Sequence, residues 1–218
     1  MSGLVSSTTG SKLILEETAN QITHAIGLVL SVMGTFFLLK LARGNENDWQ
    51  VFGCEVYCTS LVALYSASTL SHSFQKPRLK HIFRTLDQVC IFFLIAGSFT
   101  PLALTLFLDS DWLFLLIAMW ILAIIGSFFK VVVKKRQNVT VWAYALIGWL
   151  PVLAIKSIAE QVTSRTLFCI LAGAVLYTVG TVFLALDRRV PYFHVVWHVL
   201  VVAGSTCHFF ANWYVVAN

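Results

Sequence analysis

Long apolar runs separated by short charged segments dominate the chain and predict an all-α membrane protein. Seven runs have roughly the length of a membrane span, which needs about 20 mainly apolar residues. They cover Ile22–Leu39, Val51–Ser71, Val89–Leu108, Trp112–Phe129, Val139–Ile155, Leu167–Leu186 and Phe193–Val216. The fifth run is the shortest and contains Gly148 and Pro151, so it is predicted to be kinked or tilted.

The same pattern predicts a single seven-helix membrane domain over residues 1–218. Residues 1–21 form a short polar segment rich in Ser and Thr, without an apolar core before the first run. We therefore expect no cleavable signal peptide. No linker and no solenoid-type repeat divides the rest of the chain.

The composition supports a lipid environment and excludes other classes. Of the 218 residues, 58% are hydrophobic and 11% are charged, whereas a soluble domain has about 25% charged residues. A soluble fold, a disordered chain and a secreted disulfide scaffold are all excluded. The cysteines all fall within apolar runs and are expected to be small buried hydrophobic residues. They are Cys54, Cys58, Cys90, Cys169 and Cys207.

The basic residues predict the orientation, because loops rich in Lys and Arg stay in the cytoplasm. Eleven of the 15 lie on the side of the N-terminus: Lys12, Lys76, Arg78, Lys80, Arg84, Lys130, Lys134, Lys135, Arg136, Arg188 and Arg189. The N-terminus is thus predicted in the cytoplasm and the C-terminus outside, with anionic lipid head groups attracted to the basic side. Because these residues lie in short loops, nucleic-acid binding is not expected. The short termini favour a bacterial cytoplasmic membrane.

Ionisable side chains within the spans are costly and mark candidate functional positions. The predicted orientation brings five of them to the cytoplasmic layer: His24, His72, Asp87, His194 and His198. Glu55 falls near the outer end of its span and is expected to face the head groups. His208 lies about 15 Å deeper than His198, where a polar relay, a substrate contact or an interhelical hydrogen bond would each suit it.

The spacing of these residues favours a zinc site. His194 and His198 are four residues apart, so they share one helix face with about 6 Å between them. A third histidine, His72, would complete a three-ligand set that leaves one position for water. Asp87 would orient or deprotonate that water or support an imidazole, and Ser68 would offer a hydroxyl one turn before His72. The competing interpretation is a set of interfacial histidines that only form hydrogen bonds.

Four ordered motifs resemble those of the haemolysin III family, which belongs with the progestin and adipoQ receptors. The segment 17–24 (ETANQITH) is similar to the E-x-x-N-x-x-[ST]-H opening of that family and contains Asn20 and His24. The segment 68–72 (STLSH) is similar to its S-x-x-x-H motif. Asp87 with the segment 91–101, and the segments 191–198 and 203–210, resemble its third and last spans. One departure is Gln88, where many bacterial members have histidine after the aspartate.

The resemblance implies a seven-helix fold with a cytoplasmic N-terminus and zinc held by His72, His194 and His198. It places Asp87 and Ser68 in supporting positions at that site. It also connects the chain with ceramidases, which cleave a lipid amide with a similar set of residues.

Three functions follow as hypotheses. The first is zinc-dependent hydrolysis of a membrane-lipid amide or ester, with Asp87 and Ser68 as catalytic candidates. The second is a membrane sensor or regulator in which zinc is structural. The third is a cytolytic pore, which the family name suggests but which needs a polar stripe through several spans. The oligomeric state is left open.

Overall fold

The computed structural model describes the backbone of residues 2–133 and 137–218, and the side chains of residues 14–132 and 140–218. The described part contains eight α-helices, one 3₁₀ helix and no β-strand. The helices are α1 (Ser2–Arg43), α2 (Asp48–Ser73), α3 (Pro77–Leu106), α4 (Leu113–Val133), α5 (Gln137–Gly148), α6 (Ile155–Gln161), α7 (Ser164–Leu186) and α8 (Phe193–Ala217), and the 3₁₀ helix is Leu150–Ala154.

Seven segments of the described chain are long and apolar enough to cross a membrane, which confirms the predicted all-α fold with seven spans. The fifth, Thr140–Gln161, consists of α5, the 3₁₀ helix and α6 in succession. Helix α5 ends at Gly148 and the 3₁₀ helix contains Pro151. The predicted break is confirmed, because proline lacks the N–H that would continue the α-helical hydrogen bonds.

Two helices begin earlier than their apolar runs. Helix α1 is continuous from Ser2, and the described residues from Ile14 to Arg43 form one candidate span that includes residues before the predicted start at Ile22. Helix α3 begins at Pro77, twelve residues before the apolar run at Val89. Proline suits the first position of a helix because its fixed φ is already helical. An apolar run marks the lipid-facing part of a helix and not its end, so polar residues at positions 14–21 and 77–88 still lie within helices.

Small residues allow the helices to approach closely. In lipid, helices gain no hydrophobic stabilisation from associating, so close van der Waals packing is what holds them together. A Cβ atom on Gly53 of α2 would lie 2.8 Å from the Pro101 Cα atom of α3. Similarly, a Cβ atom on Gly204 of α8 would lie 2.8 Å from the Tyr177 ring of α7. All five cysteines are free, and Cys54 and Cys58 are buried as expected, whereas Cys90, Cys169 and Cys207 are half-buried.

The helix alternation places the basic residues as the sequence indicates. Most described basic side chains lie at the end of the bundle where α2 ends and α8 begins, which we call the histidine end. At the opposite end the exposed Arg43 donates a 3.2 Å hydrogen bond to Glu55, whose side chain is 46% exposed. Lys134, Lys135 and Arg136 and the side chain of Lys12, on which the orientation also depends, lie outside the described residues. The N-in orientation stays a prediction.

The contact between α2 and α3 gives a test of this packing. We expect Gly53→Ala to destabilise the protein by about 1–3 kcal/mol, because the obstacle is backbone that cannot rotate away. Gly148→Ala is the matched control, since its Cβ atom would meet no atom nearer than 3.9 Å. Thermal unfolding in detergent measures both variants, and equal unfolding midpoints would contradict the close α2–α3 packing.

Candidate metal centre

Three histidines from two helices meet at the histidine end of the bundle. His72 comes from the last turn of α2, and His194 and His198 come from the first two turns of α8. One ring nitrogen from each lies within 4.8 Å of the other two. His72 and His198 are buried and His194 is half-buried. The structure therefore brings together the three histidines that the sequence singles out.

The start of α8 is held against α1. Tyr192, just before α8, has a left-handed backbone conformation with φ of 63°. Its backbone N–H donates a 3.1 Å hydrogen bond to Glu16 Oε1 of α1. Because His194 and His198 follow within two turns, this contact fixes the position of their helix face relative to α1.

The Nδ1 atom of each of the three histidines faces an oxygen acceptor. His72 Nδ1 lies 2.7 Å from Glu17 Oε2, and His194 Nδ1 lies 2.8 Å from Asp187 Oδ2. His198 Nδ1 lies 3.2 Å from the backbone oxygen of Asn20. Carboxylate and carbonyl oxygens only accept, so each Nδ1 carries the proton that it donates. The Nε2 lone pairs are then left for another ligand, which is the usual arrangement of metal-binding histidines.

Sequence reasoning missed Glu17 and Asp187 as partners of these histidines. Glu17 accepts from His72 on one oxygen and from Lys80 Nζ, at 2.7 Å, on the other. The only signal in the sequence was the position of Glu17 in the first motif, seven residues before His24 and therefore on the same helix face. Asp187 had no comparable signal, because it lies in the loop before α8 and its approach to His194 depends on that loop.

His24 and Asn20 lie beside the cluster without joining the ligand set. The His24 ring stacks on the His198 ring at 3.6 Å between centroids and meets the edge of Tyr65 at 5.1 Å. Within the described part of the chain its ring nitrogens have no hydrogen-bond partner. Asn20 contacts His198 through its backbone oxygen, not its side chain. Both residues therefore position His198.

Asp87 and Ser68 lie next to the histidines. Asp87 lines a small cavity of about 30 Å³ together with His72 and His194. Ser68 is fully buried, and its hydroxyl is close to the Asp87 carboxylate without forming a hydrogen bond of normal geometry. Asp87 thus lies on the cavity wall with two of the histidines, and Ser68 lies next to Asp87 without lining the cavity. Their catalytic roles stay predictions.

The donor set suits zinc. Three neutral imidazoles are typical ligands of catalytic zinc, in which a fourth position stays open. The nitrogens of one tetrahedral ion are about 3.4 Å apart, so the 4.8 Å limit within the cluster leaves only a small contraction. Asn20, His24, Ser68 and Asp187 each carry a buried polar atom without a hydrogen-bond partner in the described chain. Such atoms concentrate where a protein accommodates a polar or charged group.

A larger apolar cavity of about 110 Å³ adjoins this site. It extends between α3, the broken fifth span, α7 and α8, and it shares three lining residues with the small polar cavity. Those residues are Ile91, Tyr144 and Trp197. His208 lines the apolar cavity and stacks on Tyr177 with 5.3 Å between ring centroids. His208 is therefore separate from the three-histidine cluster.

These features define the class of protein: a multi-pass α-helical membrane protein with a buried three-histidine cluster at one end and an apolar cavity beside it.

Comparison with known proteins gives the family. Residues 13–209 match the family described as "Haemolysin-III related". The chain is 38% identical over 202 residues to Hemolysin-3 of Bacillus cereus, covering 92% of this chain and 91% of that protein. It is 34% identical over 198 residues to the Hemolysin-3 homolog of Bacillus subtilis (strain 168), covering 90% and 92%. The chain therefore belongs to the haemolysin III family, and the resemblance seen in its motifs is confirmed.

A human relative connects the family with the wider superfamily. The monocyte to macrophage differentiation factor of Homo sapiens is 28% identical over 204 residues, which cover 91% of this chain and 83% of that protein. The progestin and adipoQ receptor superfamily is thereby supported as well. The bacterial relatives favour a bacterial cytoplasmic membrane as the location of this integral membrane protein.

The hydrogen bonds to Nδ1 give a testable prediction. We expect Glu17→Ala and Asp187→Ala each to weaken zinc binding about 10–100-fold, because the imidazoles lose the acceptors that orient them. The control is Glu160→Ala, which removes an exposed carboxylate at the opposite end of the bundle. Competition with a fluorescent zinc chelator measures the affinity, and three equal affinities would show that the carboxylates do not position the cluster.

Proposed function

We propose that this protein is a zinc-dependent hydrolase of a membrane-lipid amide or ester, with its site at the cytoplasmic side of the membrane. The observation that carries the proposal is the junction of two cavities. A polar cavity lined by His72 and His194 and an apolar cavity share Ile91, Tyr144 and Trp197 in their walls. An amphiphile fits this junction, because its polar bond would lie at the histidines and its hydrocarbon chain in the apolar cavity.

Separate residues would bind the metal and transfer the proton in the proposed reaction. His72, His194 and His198 would hold the ion through Nε2, with Glu17, Asp187 and the Asn20 carbonyl orienting them. When bound, zinc supplies a Lewis acid that polarises a carbonyl and makes water more acidic. Asp87 would accept the proton of the attacking water and return it to the leaving group.

Ser68 would assist from its buried position beside Asp87. Its hydroxyl has no hydrogen bond of normal geometry in the described chain, so it would donate to the adjacent Asp87 carboxylate. Asp87 also lies within electrostatic range of His194 and Arg84. Both residues line the small polar cavity together with Asp87, which supports its assignment as the base.

The second candidate is a regulatory membrane protein in which the zinc is structural. The rings are held by stacking and by three Nδ1 hydrogen bonds, an arrangement that also suits a structural role. Such a protein needs the three histidines but not Asp87. A cytolytic pore is less favoured, because the described cavity beside the site is lined mainly by apolar residues. Leakage of dye-loaded liposomes by the purified protein would restore the pore hypothesis.

The metal content tests the first requirement. We expect about one zinc ion per chain in purified protein and none in the variant with His72→Ala, His194→Ala and His198→Ala, because the triad supplies all the protein ligands. His81→Ala is the control, since His81 is an exposed histidine at the same end. Elemental mass spectrometry gives the stoichiometry. Full zinc occupancy in the triple variant would exclude this centre.

Lipid turnover tests the proposed reaction. We expect Asp87→Asn to slow hydrolysis of the responsive lipid by about 100-fold or more, because the amide cannot accept a proton. Zinc content should be retained, and Asp109→Asn, an exposed residue at the opposite end, is the control. Mass spectrometry of a ceramide and phospholipid panel in nanodiscs measures turnover. Zinc-loaded protein without turnover on any lipid would support the structural-zinc alternative.

A further inference from the structure

Two basic side chains line the polar cavity beside the histidine cluster. Arg84 projects from α3 and Lys130 from the end of α4, and both border the cavity that contains His72, Asp87 and His194. Arg188, after α7, lies within electrostatic range of Lys130. Arg84, which is exposed, and Lys130, which is half-buried, therefore reach the wall of the same cavity from two helices, whereas Arg188 lies outside that wall.

None of these cations has an ion-pair partner among the described side chains. All ten acidic residues of the protein are described, and none lies within 4.0 Å of the charged group of Arg84, Lys130 or Arg188. Lys80, by contrast, is paired with Glu17 at 2.7 Å. Cations at the edge of a membrane are usually stabilised by an anion.

The charged groups that line the polar cavity cancel one another only as long as no metal ion is bound. Arg84 and Lys130 are offset by Asp87 and Asp187, the other two charged groups on the cavity wall. Glu17 and Lys80 offset each other beside it. A divalent ion at the histidines would add two positive charges that no described carboxylate compensates. An anionic ligand restores neutrality there.

We propose that Arg84 and Lys130 bind the phosphate group of an anionic membrane lipid inside the polar cavity. A planar guanidinium matches two phosphate oxygens, and an ammonium adds a compact charge. The lipid chains would pass Ile91, Tyr144 and Trp197 into the apolar cavity. If the protein is the proposed hydrolase, this inference names an anionic lipid as its substrate class. The binding of the lipid phosphate does not depend on that proposed function, whereas the cleavage of the lipid does.

The test is binding of a lipid that cannot be cleaved. Delipidated full-length protein in detergent is titrated with di-O-octyl phosphatidic acid, whose chains are joined by ether links and which has no carboxylic ester or amide bond, and native mass spectrometry gives the dissociation constant. The neutral probe is di-O-octyl glycerol, and inorganic phosphate represents a free anion. The variant is Arg84→Gln with Lys130→Gln. The matched control is Arg78→Gln with Arg189→Gln, which removes two cations from the same end that do not line the polar cavity.

We expect the Arg84/Lys130 variant to bind the phosphatidic acid analogue at least about tenfold more weakly, because two charge-assisted contacts to the phosphate are lost. The control variant and the neutral probe should show no comparable change. Equal losses in both double variants, unchanged affinity in the Arg84/Lys130 variant, or displacement of the lipid by equimolar inorganic phosphate would each overturn the proposal. If the double variant does not fold, the single Arg84→Gln and Lys130→Gln variants give the same comparison.

Zinc content separates this proposal from the hydrolase proposal. A variant that keeps its zinc and its unfolding midpoint but binds the analogue normally would overturn the phosphate site and leave the metal centre standing. Wild-type protein that binds the analogue through Arg84 and Lys130 but contains no zinc would support the phosphate site and overturn the hydrolase.

Discussion

The need to satisfy polar groups away from water determines how this end of the bundle is built. Within a bilayer an unpaired polar atom costs several kcal/mol, so polar side chains on separate helices stabilise one another. Glu17 shows this most clearly, since its two oxygens accept from His72 of α2 and Lys80 of α3. One carboxylate on α1 thereby connects three helices. Together with the contact from Tyr192 to Glu16, it fixes the wall against which His198 packs.

The other contacts of the site depend on the position of this α1 surface. The Asn20 carbonyl and the His24 ring hold His198 from the side of α1, and Asp187 holds His194 from the loop before α8. Because all three Nδ1 atoms are used, the same atom type, Nε2, is left on each ring. The hydrogen bonds that stabilise the Nδ1 groups within the membrane thus also leave the Nε2 atoms available to a metal. Stability and candidate chemistry depend on the same contacts.

The two cavities beside the histidines differ in the polarity of the side chains that line them. Charged and polar groups surround the smaller one, apolar side chains surround the larger one, and Ile91, Tyr144 and Trp197 border both. The broken fifth span contributes to the apolar cavity, which includes Gly148, Trp149 and Pro151 in its lining. A helix interrupted at Pro151 cannot pack as an unbroken cylinder against α3 and α7. The cavity therefore depends on an irregularity that the sequence marks plainly.

The sequence by itself determined the seven spans, the break near Pro151 and the histidines of the cluster, because apolar length, proline and the i, i+4 spacing on α8 are local properties. The family motifs were also readable, including Ser68 and Asp87. Only the tertiary structure decided that Glu17 and Asp187 orient the imidazoles, that His24 stacks rather than joins the ligand set, and that His208 lines a separate cavity. Those assignments depend on how helices distant in sequence approach and rotate against one another, which spacing along one helix does not specify.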